Sequence, residues 1–233
     1  EEIRKWGEWL KAETERAVKD YYPKDPNGAI PIAYLWARTI RCEGPGCGAE
    51  IPLFRSPWLS LKGKNSVALK LNGDPSRKKI DFEIRVGVSS NEDLTGVLRR
   101  SSVTCPLCGY TTPAQKVRDQ FKGRQGGASD ARLLAVVTTS KGNAGKQFRL
   151  PIPGDDLPIK QAVADLKAIQ GSAPEDIPHE SLPYLRSIFN INLLDVTEWC
   201  QLFSPRQLIS LVKMTRLIRL LHSEVRKTIN DPQ

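Results

Sequence analysis

The sequence predicts an α+β chain: a β-rich module with an inserted small antiparallel sheet, flanked by N- and C-terminal helices. Three observations predict it. Two compact cysteine turns stand 57 residues apart. The stretch between them alternates apolar and polar residues, and both ends of the chain repeat apolar residues at helical spacing. The expected segments are an N-terminal helix over 1–29, the β module over 30–150, a linker with a short helix over 151–192, and a C-terminal helical segment over 193–233.

The cysteine turns are the organising feature. Cys42-Glu-Gly-Pro-Gly-Cys47-Gly and Cys105-Pro-Leu-Cys108-Gly each present two thiols across a tight turn. Two such turns can enclose one Zn²⁺ tetrahedrally in a closed site with no open position for water, so the metal's role would be structural. A glycine follows the second cysteine of each pair, where backbone N–H groups fold towards the thiolates and a residue without Cβ is favoured. Two disulfides or ordinary buried thiols are the alternatives. Four of the five cysteines fall in the two turns while Cys200 is isolated, and this grouping favours the metal. Cys200 itself reads as a small buried apolar residue.

Composition narrows the class. At 233 residues, 39% hydrophobic and 26% charged, the chain suits a globular protein with a real core. No apolar run approaches a membrane span and no signal-peptide pattern opens the sequence. With metal-binding cysteines this predicts a cytoplasmic protein without membrane partners. The first residue is Glu1 rather than Met, as expected of a piece of a longer polypeptide. Net charge is +9, and residues 41–125 hold fifteen basic against eight acidic side chains. A basic module is the electrostatic footprint of a polyanion binder, although a solvated lysine-rich surface reads the same way.

In order along the chain, residues 2–22 form an amphipathic helix through Ile3, Trp6, Leu10, Ala17 and Tyr21, stopped by Pro23 and the Asp25–Gly28 cluster. Residues 30–41 read as one strand entering the first turn, with Arg38 fitting only through a bulge or twist. Residues 51–59 carry two prolines and suit an edge strand. Ser66–Leu71 and Ile80–Val88 are strands joined by Asn72–Pro75 and the basic run Arg77–Lys79, with Phe82, Ile84, Val86 and Val88 on one face. A short strand, Ser101–Thr104, enters the second turn. Thr112 caps a helix running through Ala114–Lys122, with Val117 and Phe121 buried. Gly123–Ser129 is a loop without P-loop character. Leu133–Thr138 pairs with Lys146–Leu150 across the Lys141–Gly145 turn. A modest helix at about 159–169 lies in a proline-rich connector, and a short helical piece covers 195–202. Ser204-Pro205-Arg206-Gln207 is a capping box opening the last helix. Its apolar stripe is Leu211, Met214, Ile218, Leu221, Val225 and Ile229, with Arg206, Lys213, Arg216 and Lys227 opposite. This helix is expected to dock against a helical neighbour. His179 and His222 are distant, with no paired base and nucleophile nearby, and justify no catalytic role.

Several segments together resemble one family. They are Ile32-Ala-Tyr-Leu-Trp-Ala-Arg-Thr-Ile-Arg-Cys42, Pro52-Leu-Phe-Arg-Ser-Pro-Trp-Leu59, Thr104-Cys-Pro-Leu-Cys-Gly109, Leu202-Phe-Ser-Pro-Arg-Gln-Leu-Ile209 and Trp6-Gly-Glu-Trp9. The composite is similar to the middle of adenine-specific DNA methyltransferases that contain a zinc ribbon, and it covers nearly the whole chain, least over 140–195. The resemblance implies a large S-adenosylmethionine-dependent enzyme. Its glycine-rich cofactor loop lies upstream of this region and its Asp/Asn-Pro-Pro-Tyr/Phe motif downstream. Neither motif occurs here, so S-adenosylmethionine belongs to the intact enzyme or a partner and no catalytic residue is expected in this chain.

The expectation is therefore a DNA-positioning or target-recognition segment working with catalytic methyltransferase domains or a catalytic subunit. Cys42, Cys47, Cys105 and Cys108 hold the metal. Arg38, Arg41, Arg55, Trp58, Lys62, Arg99, Arg100, Lys116, Arg118, Lys122 and Arg206 are the candidate nucleic-acid contacts. The alternative is a protein–protein interaction module of a methyltransferase or phage-defence complex.

Overall fold

The computed structural model describes residues 1–89, 92, 94–122, 124, 130–140, 143–184 and 191–230. In chain order the elements are α1 (Glu2–Val18), β1 (Ile30–Ala37), β2 (Thr39–Arg41), β3 (Glu50–Pro52), β4 (Trp58–Ser60), β5 (Val67–Asp74) and β6 (Lys79–Val86). They continue with β7 (Leu98–Arg99), β8 (Ser102–Thr104), β9 (Thr111–Thr112), α2 (Ala114–Phe121), β10 (Arg132–Ser140), β11 (Asn143–Arg149), α3 (Asp156–Ser172) and α4 (Pro205–Asn230). The strands form four small antiparallel sheets, β1-β10-β11, β2-β3, β4-β5-β6 and β7-β8-β9. The α+β class is as expected.

The chain divides into two compact units. One comprises residues 1–24, 152–181 and 198–233, and the other comprises 25–151 and 182–197. Both units are discontinuous in sequence. The expected linker contains α3, whose Tyr21-, Ala162- and Ile169-centred packing places it inside the helical unit.

In the helical unit α1 and α3 both pack on α4. Tyr21, Ala162, Ile169, Ile177, Leu208, Ile209 and Val212 form its core, and Ile209 is fully buried. The inner face of α4 is therefore Leu208, Ile209 and Val212, one step round the helix from the expected stripe. Leu211 and Ile218 of that stripe are 37% and 46% exposed. Ile3, expected on the inner face of α1, is 89% exposed. One half of the capping box at the start of α4 is seen, the Ser204 amide donating to Gln207 Oε1 at 2.9 Å. Arg216 and Arg219 both bind the Asp176 carboxylate at 2.6 Å, and this fork holds the carboxyl below the usual carboxylate range, the Arg216 bond first.

In the β unit the expected strand over 30–41 breaks at Arg38, so that β1 joins β10 while β2 joins β3 in a different sheet. Arg38 makes the break useful. Its guanidinium lies 3.9 Å from the Phe121 ring centre, donates to the Leu194 carbonyl at 2.7 Å and pairs with Asp130 at 3.4 Å. The β5–β6 turn falls at Pro75–Lys78, inside the expected 72–79 connection, which is narrowed because the strands pair out to Asp74 and Lys79 and Asp74 Oδ1 accepts the Ser76 and Arg77 amides. Ile80 and Val88 are buried while Val86, expected on that face, is 75% exposed. Helix α2 starts after Pro113, with Thr112 ending β9 rather than capping the helix. Val117 and Phe121 are buried as expected. Strands β10 and β11 pair as predicted. The residues at 141–142, most of the 123–129 loop and the side chains of Lys227 and Ile229 lie outside the described residues. No helix among the described residues is long and apolar enough to cross a membrane.

Candidate metal centre and basic surface

Each cysteine pair sits at the tip of its own hairpin. Strands β2 and β3 register Arg41 opposite Glu50, and the next rung is the Cys42 amide donating to the Ala49 carbonyl at 2.8 Å. Strands β8 and β9 register Thr104 opposite Thr111, followed by the Cys105 amide donating to the Tyr110 carbonyl at 2.8 Å. The ladder thus carries each chain segment up to its first thiol and back from just beyond its second. Gly48 and Gly109, the glycines after the second cysteines, have φ of +64° and +74°, left-handed values that other residues adopt at a cost. Gly44 makes the close approach between the tips. A Cβ there would stand 2.8 Å from Tyr110 Cβ and 3.1 Å from Cys108 Sγ.

The four sulfurs converge. Cys42, Cys47, Cys105 and Cys108 Sγ all lie within 4.8 Å of one another. The Cys42–Cys108 and Cys47–Cys105 separations are 3.5 and 3.8 Å. None is in a disulfide. Four thiolates at about 2.3 Å from a common ion stand roughly 3.8 Å apart along a tetrahedral edge, so the observed spacing fits a single ion. The surroundings add polar support: the Gly44 amide points at Cys42 Sγ from 3.4 Å, and the Leu107 and Cys108 amides bond to the Cys105 sulfur. The Tyr110 amide holds the Cys108 thiol below its ordinary value, whereas burial pushes Cys42 and Cys105 up. Two buried thiols that resist losing their protons are what a bound cation would relieve.

The centre is wired into the fold. Cys42 and Cys105 are themselves members of the main apolar cluster, with Ile40, Ile51, Ile80, Val97, Val103 and Phe121. Leu107, between the thiols of the second turn, lies so close to Gly73 on β5 that a Cβ there would stand 2.1 Å from its Cδ2. The inserted hairpin therefore rests on the second turn. From the other side Gln120 of α2 accepts the Arg41 amide at 2.7 Å and donates to the Arg41 carbonyl at 2.9 Å.

The candidate nucleic-acid residues fall into groups. Arg41, Lys62, Arg99, Arg100 and Lys116 are exposed. Arg99 and Arg100 stand at a hairpin tip ahead of the second cysteine turn, where Arg100 and Ser101 have φ of +45° and +72°. Both central residues at positive φ make this a primed two-residue turn, built here without glycine. Arg55 and Arg118 meet Trp36, Arg38 and Phe121 around a cavity of about 550 Å³. Lys122 is exposed and paired with Asp119 at 2.8 Å, and Trp58 is half-buried on β4 opposite Ala68. Arg38 is held internally as described. Arg206, expected on the outer face of α4, is only 4% exposed, and its guanidinium donates to the Tyr21 carbonyl at 3.2 Å. Burial next to the cap, not surface display, is its place.

Grouping by unit sharpens the charge asymmetry. The cysteine-bearing unit holds 21 basic and 11 acidic residues, and the helical unit 14 and 15. The whole positive excess thus belongs to the unit with the thiolate cluster. Comparison with protein-family models, with curated proteins and with solved structures finds no match.

A second convergence of ligand-type side chains lies in the helical unit. His179, Glu198 and Cys200 bring one ligand-type atom each to within 4.8 Å of one another. They lie up to 21 positions apart and no local spacing announces them.

Proposed function

We propose that the cysteine-bearing unit is a zinc-stabilised DNA-binding module, serving target positioning for an S-adenosylmethionine-dependent DNA adenine methyltransferase of the kind this sequence resembles. The chain does no chemistry of its own in this reading. The observation that carries it is the surplus of ten positive charges in the unit that also gathers the four thiolates.

Zinc suits the four-thiolate donor set and its tetrahedral spacing. Held at the two hairpin tips, it fixes the β7–β8 turn that displays Arg99 and Arg100. Phosphate contacts from these and from Arg41, Lys62 and Lys116 give orientation and salt-sensitive affinity, while sequence reading requires side chains at base edges. Arg55, Arg118 and the Trp36 ring at the 550 Å³ cavity supply guanidinium and ring surfaces of the kind that hold a phosphate and a base.

The test is anisotropy of a labelled random duplex across a salt series. Affinity should fall steeply and linearly on logarithmic axes, and Arg99→Gln with Arg100→Gln should lower the slope by about 2. No binding at low salt would contradict the proposal. It would favour a protein–protein module instead, for which the exposed Leu211 and Ile218, on one side of α4, offer apolar contacts. Heat on titration with S-adenosylmethionine would contradict the non-catalytic part.

A further inference from the structure

We propose that His179, Glu198 and Cys200 form a second metal site, distinct from the four-cysteine centre, for a divalent ion of the zinc class with one coordination position open to solvent. The geometry is that of three ligands on one ion. His179 Nδ1 lies 2.9 Å from Glu198 Oε2, Cys200 Sγ lies 3.4 Å from that same oxygen, and the sulfur lies 3.7 Å from Nδ1. Around a tetrahedral ion with ordinary zinc distances these edges run to about 3.4–3.6 Å, so the site closes on an ion when the nitrogen–oxygen edge opens by about half an ångström.

The triad is pre-positioned by backbone. Residues 178–181 and 198–200 run antiparallel, with Ser181 bridged to Glu198, the Trp199 amide on the Glu180 carbonyl at 3.2 Å and the Cys200 amide on the Pro178 carbonyl at 2.9 Å. That zipper puts His179 opposite both partners. Gln170, near the end of α3, takes the far side of the ring: its Oε1 lies 2.6 Å from His179 Nε2. In the tautomer whose Nε2–H donates to Gln170, Nδ1 is left to the ion, which replaces the Nδ1 proton otherwise needed to bond Glu198 Oε2. An outer hydrogen bond on one ring nitrogen that leaves the other for the ion is the usual support of a ligating histidine. The Cys200 thiol donates to Glu198 Oε2; on binding an ion its proton leaves to solvent, and the two negative charges of thiolate and carboxylate match the two positive charges of the divalent cation.

Sulfur, imidazole and carboxylate together match zinc better than calcium or magnesium. The side chains of His179 and Glu198 are 46% and 36% exposed, so a fourth ligand, water or a group from a partner, can reach the ion. Three protein ligands with an open position differ in kind from the closed four-thiolate site.

The test is zinc stoichiometry of the full chain, measured by elemental analysis after dialysis against micromolar Zn²⁺. Two equivalents are expected, falling to one in Cys200→Ala and in His179→Gln with unchanged far-ultraviolet circular dichroism. His179 is exposed, so its variant should fold. Cobalt(II) substitution gives an independent reading, with sulfur-to-cobalt charge-transfer absorbance lower in Cys200→Ala by about one fifth, one thiolate of five. One equivalent in the wild-type protein overturns the proposal, as do two equivalents retained in both variants. Loss of metal only in Cys105→Ser would leave the four-cysteine centre standing and this site refuted.

Discussion

Replacing Cys105 by serine should unfold the β unit selectively, and the size of the effect can be worked out. Structural zinc sites contribute about 10–16 kcal/mol of apparent binding free energy at neutral pH, which is folding free energy where the site does not preexist. One ligand of four is then worth roughly 3–4 kcal/mol. Cys105 is 1% exposed inside the main apolar cluster, so a hydroxyl without a partner adds about 1–3 kcal/mol more. Against a domain stability of about 5–15 kcal/mol, a loss of this size in a unit of roughly 140 residues lowers its melting temperature by about 10 °C or more. The core of the helical unit contains none of the four cysteines and should be spared. Hydrogen exchange with mass spectrometry separates the two: protection should vanish around Ile40–Pro52 and Val103–Thr112 and persist in α3 and the first half of α4. The same pattern should follow chelation of the wild-type protein. Metal-stripped protein that keeps full protection at both cysteine turns would refute the reasoning.

Other perturbations should behave as follows. A Cβ at Gly96 would stand 2.4 Å from the carbonyl oxygens of both Phe54 and Arg55. Backbone cannot yield as a side-chain tip does, so Gly96→Ala should destabilise by at least 1–3 kcal/mol, roughly. A denaturant midpoint equal to wild type would contradict this. Asp176 is depressed by its two arginines, so its contribution is fully present above the unfolded value near about 3.9 and is lost as pH falls through the lower native value. Asp176→Asn should therefore be less stable than wild type at neutral pH, with the gap closing below about pH 4. A gap constant from pH 7 to pH 3 would exclude the ion pairs as its source.

What the sequence shows and what it hides divide along local and long-range information. The cysteine centre is legible because each thiol pair is local, with its glycine in place, and only the meeting of the pairs needs the fold. The β5–β6 pairing is legible from alternation and its connection from the Asn72–Pro75 and Arg77–Lys79 signals, while the exact corner is set by Asp74 accepting the Ser76 and Arg77 amides. Helix α4 announces its start through the Ser204–Gln207 box. Its buried side escapes because two apolar stripes lie side by side, and packing of Leu208, Ile209 and Val212 with Tyr21 and Ala162 chooses between them. Arg38 is hidden for a similar reason: a cation in a strand looks like surface until an aromatic ring, a carboxylate and a carbonyl enclose it. Arg206 and the His179–Glu198–Cys200 convergence likewise depend on partners far along the chain, which periodicity does not encode.

If four thiolates gathered on one ion set the shape of the β unit, anomalous diffraction at the zinc edge will reveal that ion. A peak should stand among the sulfurs of Cys42, Cys47, Cys105 and Cys108, about 2.3 Å from each. Crystals of freshly purified protein with no anomalous density there, or with those sulfurs joined in disulfides, would contradict it.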